Sequence, residues 1–235
     1  MATLLALVQR HCRRSNIPVP TTVAGSTDDQ ILQVLALLEE EGNDLASRGD
    51  WQALTREATH TTVATESQGE IDTIASNGFN YVKNNTIWDR TETLPVYVID
   101  GVDWQAEKGF ANTSPHYQAR IRGNELLATP TPTAGNTWAF EYISKNWILG
   151  ADTTTYSQYF NLDTDTLLLP EEILLKGLRW RWKKEKGFEY AEDFSSYEYI
   201  VKDTLGRQGL HRNLHMDDGR SERNPHVIVN DTFPL

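Results

Sequence analysis

The sequence predicts an α+β protein in which both ends of the chain form a helical bundle and a mostly antiparallel β domain is inserted between them. Apolar residues recur at helical spacing near both ends, alternating runs fill the middle, and the C-terminal tail has no periodicity. We therefore assign residues 1–60 and 151–212 to a discontinuous helical bundle domain, 61–150 to the β domain and 213–235 to an extended C-terminal arm.

Two helices are predicted at the N-terminal end. The first covers residues 3–15 and ends ahead of Pro18, because proline lacks the amide hydrogen that a helix requires. The second begins at a capping box of Thr27 and Gln30 and stops near Gly49. Its apolar residues lie within an arc of about 120° and form one core-facing stripe: Ile31, Val34, Leu35, Leu38, Leu45 and Ala46.

The middle of the chain is predicted to form antiparallel strands. Apolar and polar residues alternate over 117–122, and the Gly123-Asn124 pair that follows is typical of a tight hairpin turn. A second alternating run contains three aromatic residues, Trp138, Phe140 and Tyr142.

Two more helices are predicted near the C-terminal end. The first begins at Pro170, a residue suited to a first helical turn, and ends at Gly187. The second is expected to close at Gly206 and Gly209. Its apolar stripe is narrow, about 80° wide on a helical wheel, and consists of Tyr190, Phe194, Tyr197, Val201 and Leu205.

The helix from Pro170 to Lys186 combines tryptophan with lysine and arginine. Trp180 points about 200° away from Trp182, so one packed face cannot hold both rings. Trp180 then packs on the β domain or the next helix, or it lies in an interface between subunits, where tryptophan and arginine are enriched. A DNA-binding face is a third option, which the acidic chain weakens. The candidate subunit-interface residues are Trp180 and the basic face Lys176, Arg179, Lys183 and Lys186.

Charge and cysteine usage narrow the class of protein. The net charge is −11, and an acidic protein binds DNA poorly because phosphates must be neutralised by cations. The single cysteine, Cys12, excludes an internal disulfide and fits synthesis in a reducing cytosol. No stretch of about 18 apolar residues occurs, so no membrane span is expected.

The sequence contains no recognisable motif for catalysis or ligand binding, so we expect no enzyme activity, no cofactor and no metal site. The chain has no nucleophile elbow, no P-loop and no dinucleotide fingerprint. His211 and His215 are four residues apart, but Gly206 and Gly209 argue against a helix that would bring them together. Residues 161–165 start like a calcium loop but lack its glycine and its final glutamate.

Several short segments between residues 27 and 205 match one family in number and order. The clearest is Gly-Leu-Arg-Trp-Arg-Trp-Lys-Lys at 177–184. Together with the segments 49–52, 57–59, 120–124, 139–144, 161–165, 168–172 and 190–192, it resembles head-to-tail adaptor (connector) proteins of short-tailed bacteriophages.

The resemblance implies a helical bundle interrupted by a β domain and a ring, usually of twelve copies, at the head–tail junction of the virion. The implied partners are other copies of the chain, the portal protein, the tail tube or nozzle protein, and double-stranded DNA that passes through without specific binding. It also implies C-terminal arms that reach the portal. The candidate arm residues here are Arg212, His215, Arg220, Arg223, Asn224, Val227, Ile228 and Phe233.

A closed ring needs two different complementary surfaces on each subunit. The basic face around Lys183 and an acidic face within 39–44 are one possible pair. Two alternatives remain open at this point: another tail tube or nozzle component, and a carbohydrate-binding module whose sugar site is lined by Trp88, Trp104, Trp138 and Trp147.

Overall fold

The computed structural model of the chain describes residues 2–109 and 116–208. Within these ranges the helices are α1 (Leu4–Ser15), α2 (Asp29–Ser47), α3 (Ile71–Ile74), α4 (Gly101–Gly109), α5 (Glu171–Glu185) and α6 (Ala191–Gln208). The strands are β1 (Thr55–Thr61), β2 (Ser67–Glu70), β3 (Phe79–Val82), β4 (Trp88–Asp89), β5 (Leu94–Pro95), β6 (Tyr97–Val98), β7 (Gln118–Arg122), β8 (Glu125–Thr129), β9 (Thr137–Ser144), β10 (Ile148–Leu149), β11 (Tyr156–Ser157) and β12 (Thr166–Leu167).

This arrangement confirms the predicted α+β class, with helices at both ends and strands between them. The predicted C-terminal arm, 213–235, lies outside the described residues. In the described part of the chain, no helix is both long enough and apolar enough to cross a membrane.

Helix α1 follows its predicted pattern. The side chain of Thr3 accepts a hydrogen bond from the amide of Ala6 at 3.4 Å, and Asn16 ends the helix in the left-handed conformation. Backbone carbonyls of Asp163 and Asp165 accept the free amides of Leu5 and Leu4. One face of the helix is buried: Leu4, Leu7, Val8, His11 and Cys12.

Helix α2 starts one residue later than predicted. Its cap is Asp28, whose carboxylate accepts the amide hydrogen of Gln30 at 2.8 Å, so the predicted capping box at Thr27 is wrong. A carboxylate at this position satisfies a free amide and also interacts favourably with the helix dipole. The predicted apolar stripe of α2 is buried except for Leu35, which is half-buried, and Leu37 is buried in addition.

The strands form three sheets. One contains β1, β9, β4 and β5 in that order, with β3 also paired to β9; a second has the order β2-β8-β7-β6, and a third the order β11-β10-β12. The predicted hairpin is present, since β7 and β8 pair antiparallel around Gly123 and Asn124, both at positive φ. Only β6 with β7 pairs parallel among the described strands.

Strand β9 connects two hydrophobic cores. Its Ile143 belongs to the larger core, which the helices dominate, whereas its Tyr142 belongs to the core of the β region. Strand β1 pairs with β9 from Thr55 to Thr61. The predicted division at residue 60 therefore runs through a strand, and the division into domains stays a prediction.

Helix α5 is the centre of the helical core and packs against α1, α2 and α6. Helix α6 continues through Gly206 and ends at Gln208, so Gly206, the first of the two glycines predicted to close it, does not end the helix. Leu205, on the same turn, lies against Gly49, and this tertiary contact holds the helix beyond the glycine. Gly209 lies outside the described residues.

Trp147, which follows β9, is fully buried against α2. Its indole nitrogen donates a hydrogen bond to the side-chain oxygen of Asn43 at 2.9 Å. The ring covers Gly42 so closely that a Cβ atom there would lie 2.0 Å from the ring carbon Cζ2. Glycine is therefore needed inside α2 for close approach of the indole, despite its poor helix propensity.

Replacing Gly42 with alanine is expected to destabilise the protein by about 1–3 kcal/mol, because overpacking outweighs the gain in helix propensity. The matched control is Gly206→Ala in α6, where a new Cβ meets nothing within 4 Å. The control is expected to stabilise the fold by up to about 1 kcal/mol. Urea unfolding of both variants measures the difference, and an unaltered Gly42→Ala midpoint would contradict the packing argument.

Candidate functional site

The guanidinium of Arg181 in α5 lies buried between helices, with 8% of its side chain exposed. Its Nε donates a hydrogen bond to Glu41 Oε2 at 2.6 Å, and its two terminal nitrogens pair with Glu40 and Asp44. All three carboxylates belong to α2, where these residues fall on neighbouring positions of one face. Each of the three guanidinium nitrogens of this one arginine therefore contacts a carboxylate of α2, which joins α5 to α2.

Glu41 is the deepest member of this charged network, with no exposed surface. Gly177, one turn before Arg181, makes room for it, because an added Cβ would lie 2.1 Å from Glu41 Oε1. Burial raises the pKa of Glu41, although contacts with Tyr197 and Arg181 oppose the shift. Burial and the Glu41 carboxylate together raise the pKa of Tyr197 in α6. The network thus extends over α2, α5 and α6.

Trp180 packs against α6. The centre of its ring lies 5.1 Å from that of Phe194 and 6.2 Å from that of Tyr197, and the side chain is only 8% exposed. The Arg181 guanidinium lies over the ring at 4.8 Å. Of the options that the sequence left open, packing on the next helix is therefore the one observed. The indole Nε1 finds no acceptor among the described residues.

The predicted basic face of α5 is largely engaged within the chain. Arg179 and Lys183 both pair with Asp193 at the start of α6. Lys186 donates to the side-chain oxygen of Gln33 at 2.8 Å and lies 4.4 Å above the Trp182 ring. Lys176 is half-buried and makes no ion pair or hydrogen bond with a described residue. The role of these residues in a subunit interface stays a prediction.

The acidic face within 39–44 is largely engaged inside the chain, and its predicted pairing with the basic face around Lys183 of a neighbouring subunit stays a prediction. Arg181 takes Glu40, Glu41 and Asp44, and Glu39 accepts the backbone amide of Phe160 at 3.1 Å. Sequence reasoning missed Arg181 as the central residue. The available signal was a glycine one turn before an arginine on an otherwise apolar face, together with clustered carboxylates on another helix.

The aspartates of segment 161–165 bind backbone amides. Asp163 accepts hydrogen bonds from the amides of Val23 and Ala24, and Asp165 accepts them from Asn161 and Leu162. These contacts join the loop after α1 to the segment before α5, and they lower the pKa of Asp163 even though desolvation opposes the shift. No group of three potential metal ligands occurs among the described residues.

The four tryptophans of the hypothetical sugar site do not share a surface. Trp104, Trp138 and Trp147 are at most 1% exposed and belong to packed interiors, whereas Trp88 is 38% exposed. A stacking platform needs an accessible ring face, so the three buried rings cannot form one. The candidate arm residues, with His211 and His215, lie outside the described residues.

Comparison with known families identifies the chain. The family model of the SU10 adaptor protein matches residues 2–224. The chain belongs to the SU10 adaptor protein family. No curated protein matches it at a significant level.

Membership in the SU10 adaptor family makes the protein a structural adaptor of a bacteriophage and a component of the virion. The match confirms the resemblance to head-to-tail adaptors. It also covers the helical and β elements together, so the Arg181 network belongs to an assembly component.

His11 joins α1 to α5 in this SU10 adaptor. Its ring is 1% exposed and meets the edge of Trp182 at a centroid distance of 5.9 Å. Burial, followed by the charges of Arg14 and Arg179, lowers the pKa of His11 to about 4. The neutral ring is therefore the form that the folded protein holds at neutral pH.

Replacing Arg181 with methionine is expected to destabilise the SU10 adaptor by about 3–5 kcal/mol, because Glu41 would keep a buried carboxylate without its partner. The control, Arg179→Met on the same helix, removes an exposed pair and is expected to cost about 0–1 kcal/mol.

Denaturant unfolding measures both variants. Adding Glu41→Gln to Arg181→Met is expected to restore part of the loss, since it removes the uncompensated charge. Equal stability of Arg181→Met and wild type would contradict the expectation that Glu41 depends on Arg181 as its buried partner.

Lowering the pH from 7 to 5 is expected to destabilise wild type relative to His11→Gln by about 2 kcal/mol. The pKa of His11 is lower in the folded state than in the unfolded state. At a pH between these two values the unfolded state binds a proton that the folded state does not, so the free energy of unfolding decreases as the pH is lowered. Unfolding midpoints of both proteins at both pH values test this. Parallel pH profiles would show that His11 does not titrate as described.

Proposed function

We propose that this SU10 adaptor forms a ring of twelve copies at the head–tail junction, docks beneath the portal, extends the DNA channel and provides the platform for the tail tube or nozzle. The observation that supports the proposal is the family match over residues 2–224. Head-to-tail contacts around a ring require two unlike surfaces on each rigid subunit.

Ion pairs between the helices give such a subunit its rigidity. Arg181 ties α2 to α5, and Asp193 ties α5 to α6. A body held in this way loses little conformational freedom on assembly, which lowers the entropic cost of association.

We place one ring surface around the C-terminal end of α5 and the start of α6, which contains the candidate residues Trp180, Lys176, Arg179, Lys183 and Lys186. Aromatic side chains lie exposed beside Trp180: Phe188 is 63% exposed and Tyr190 is 39% exposed. Exposed aromatic residues beside the basic end of α5 are typical of a surface that a partner covers.

The arm, 213–235, is proposed to reach the portal. The candidate contacts combine cations with apolar side chains, a mixture that suits protein surfaces: Arg212, His215, Arg220, Arg223, Asn224, Val227, Ile228 and Phe233. The net charge of −11 suits a channel that DNA crosses without binding, because like charge prevents adhesion.

Native mass spectrometry of the full chain, alone and with assembled portal, tests the ring. A twelve-membered ring bound to portal is expected. A chain that stays monomeric and does not bind portal would contradict the proposal.

Deletion of residues 213–235 is expected to impair portal binding while the described domains stay folded, which circular dichroism of the truncated protein checks. Attachment that survives the deletion would contradict the arm assignment but not the ring.

A further inference from the structure

An open cleft of about 680 Å³ lies on the outer face of the β1–β9–β4 sheet. Trp88 of β4 forms one wall, and Ala139 of β9, directly opposite in register, leaves space beside the indole. Polar side chains complete the lining: Glu57, Thr86, Arg90 and Glu141. The volume falls in the usual range of ligand sites, about 300–1,000 Å³.

Trp88 differs from every other tryptophan of the chain. All seven lie in the described residues, and the other six are at most 8% exposed, whereas Trp88 is 38% exposed. The other six indoles are buried in packed interiors, whereas the Trp88 ring is accessible at the cleft. Exposed aromatic surface in a concave site indicates a binding partner.

The charges around Trp88 favour a cationic and apolar occupant. Arg90 is already paired with Glu57. The carboxylate of Glu141 is exposed and has no hydrogen bond or ion pair with a described residue. An arginine could pair with Glu141 while a neighbouring apolar side chain covers the indole.

The path of the chain points to a specific occupant. Helix α6 ends at Gln208, whose side-chain oxygen and backbone carbonyl accept hydrogen bonds from Gln52 at 3.3 and 3.1 Å. Gln52 begins the 3-10 turn Gln52–Leu54 that leads into β1, the strand that carries Glu57 into the cleft. The chain after α6 therefore starts at the foot of the strand that leads to the cleft.

Residues 209–235 are long enough to reach the Trp88 cleft and contain side chains that can bind there. Extended, they span up to about 90 Å, whereas the length of β1 is only about 20 Å. Although they also carry four acidic residues, they contain Arg212, Arg220 and Arg223, any of which can pair with the carboxylate, and an apolar run at 227–229 with Phe233 for the indole.

We propose that, in the free subunit, residues 209–235 dock within the same chain on the Trp88 cleft. The arm is then stored on the β domain, and a partner must displace it before it can bind elsewhere. This regulatory consequence rests on the proposed portal docking, whereas the docking on the cleft does not.

Hydrogen–deuterium exchange of the full-length free protein tests the docking. Amides within 209–235 are expected to exchange about tenfold more slowly in wild type than in Trp88→Ala. The matched control is Tyr199→Ala, which removes a 72% exposed aromatic ring from α6, away from the cleft. The control is expected to retain wild-type protection. Circular dichroism and unfolding midpoints confirm that both variants stay folded.

Each outcome decides the proposal. Slow exchange that depends on Trp88 and is independent of protein concentration supports intramolecular docking. Unprotected amides throughout 209–235, or equal protection in wild type and Trp88→Ala, overturns it. Protection that grows with protein concentration overturns the intramolecular form, because a second copy then supplies the segment. Portal binding is measured separately, so failure there leaves this result intact.

Discussion

The buried ion pair between Arg181 and Glu41 constrains the helical part of this protein more than any other contact. Removing a carboxylate and a guanidinium from water costs several kcal/mol per ion, and only close, well-directed contacts offset that cost. Glu41 has no exposed surface, and in this arrangement of α2 and α5 its Oε2 accepts a charged hydrogen bond from Arg181. Gly177 permits that arrangement because it leaves the space that the carboxylate occupies. The pairing also reaches α6, because the nearby Glu41 carboxylate contributes, after burial, to the raised pKa of Tyr197.

The network also decides which surfaces are left for assembly. Basic side chains of α5 that look free in the sequence form ion pairs with α2 and α6. Arg179 and Lys183, for example, both pair with Asp193 of α6. Exposed aromatic groups remain instead, at Phe188 and Tyr190 beside α5 and at Trp88 on the sheet. Strand β9 links the two regions because its adjacent residues face different cores. A partner that binds the helical region or the β region therefore binds a part of the protein that β9 connects to the other region.

Local patterns allowed much of the fold to be predicted. The hairpin at Gly123 and Asn124 follows from turn chemistry, and the stripes of α1 and α2 follow from helical periodicity. Predictions failed where two local signals competed or a distant contact decided. Thr27 and Asp28 both suit a cap, and the carboxylate took the role. Gly206 suits a helix end, yet packing of Leu205 on Gly49 carries α6 past it.

The sequence by itself determined the α+β class, the main helices and the family resemblance, because periodicity, turn residues and ordered motifs act over short stretches of chain. Only the tertiary structure decided what the charged and aromatic side chains do. Arg181 meets carboxylates from a helix far earlier in the sequence, and Trp180 covers α6 instead of remaining free. Whether an indole or an ion is buried depends on which elements pack around it. That packing is set by long-range contacts, which no local pattern encodes.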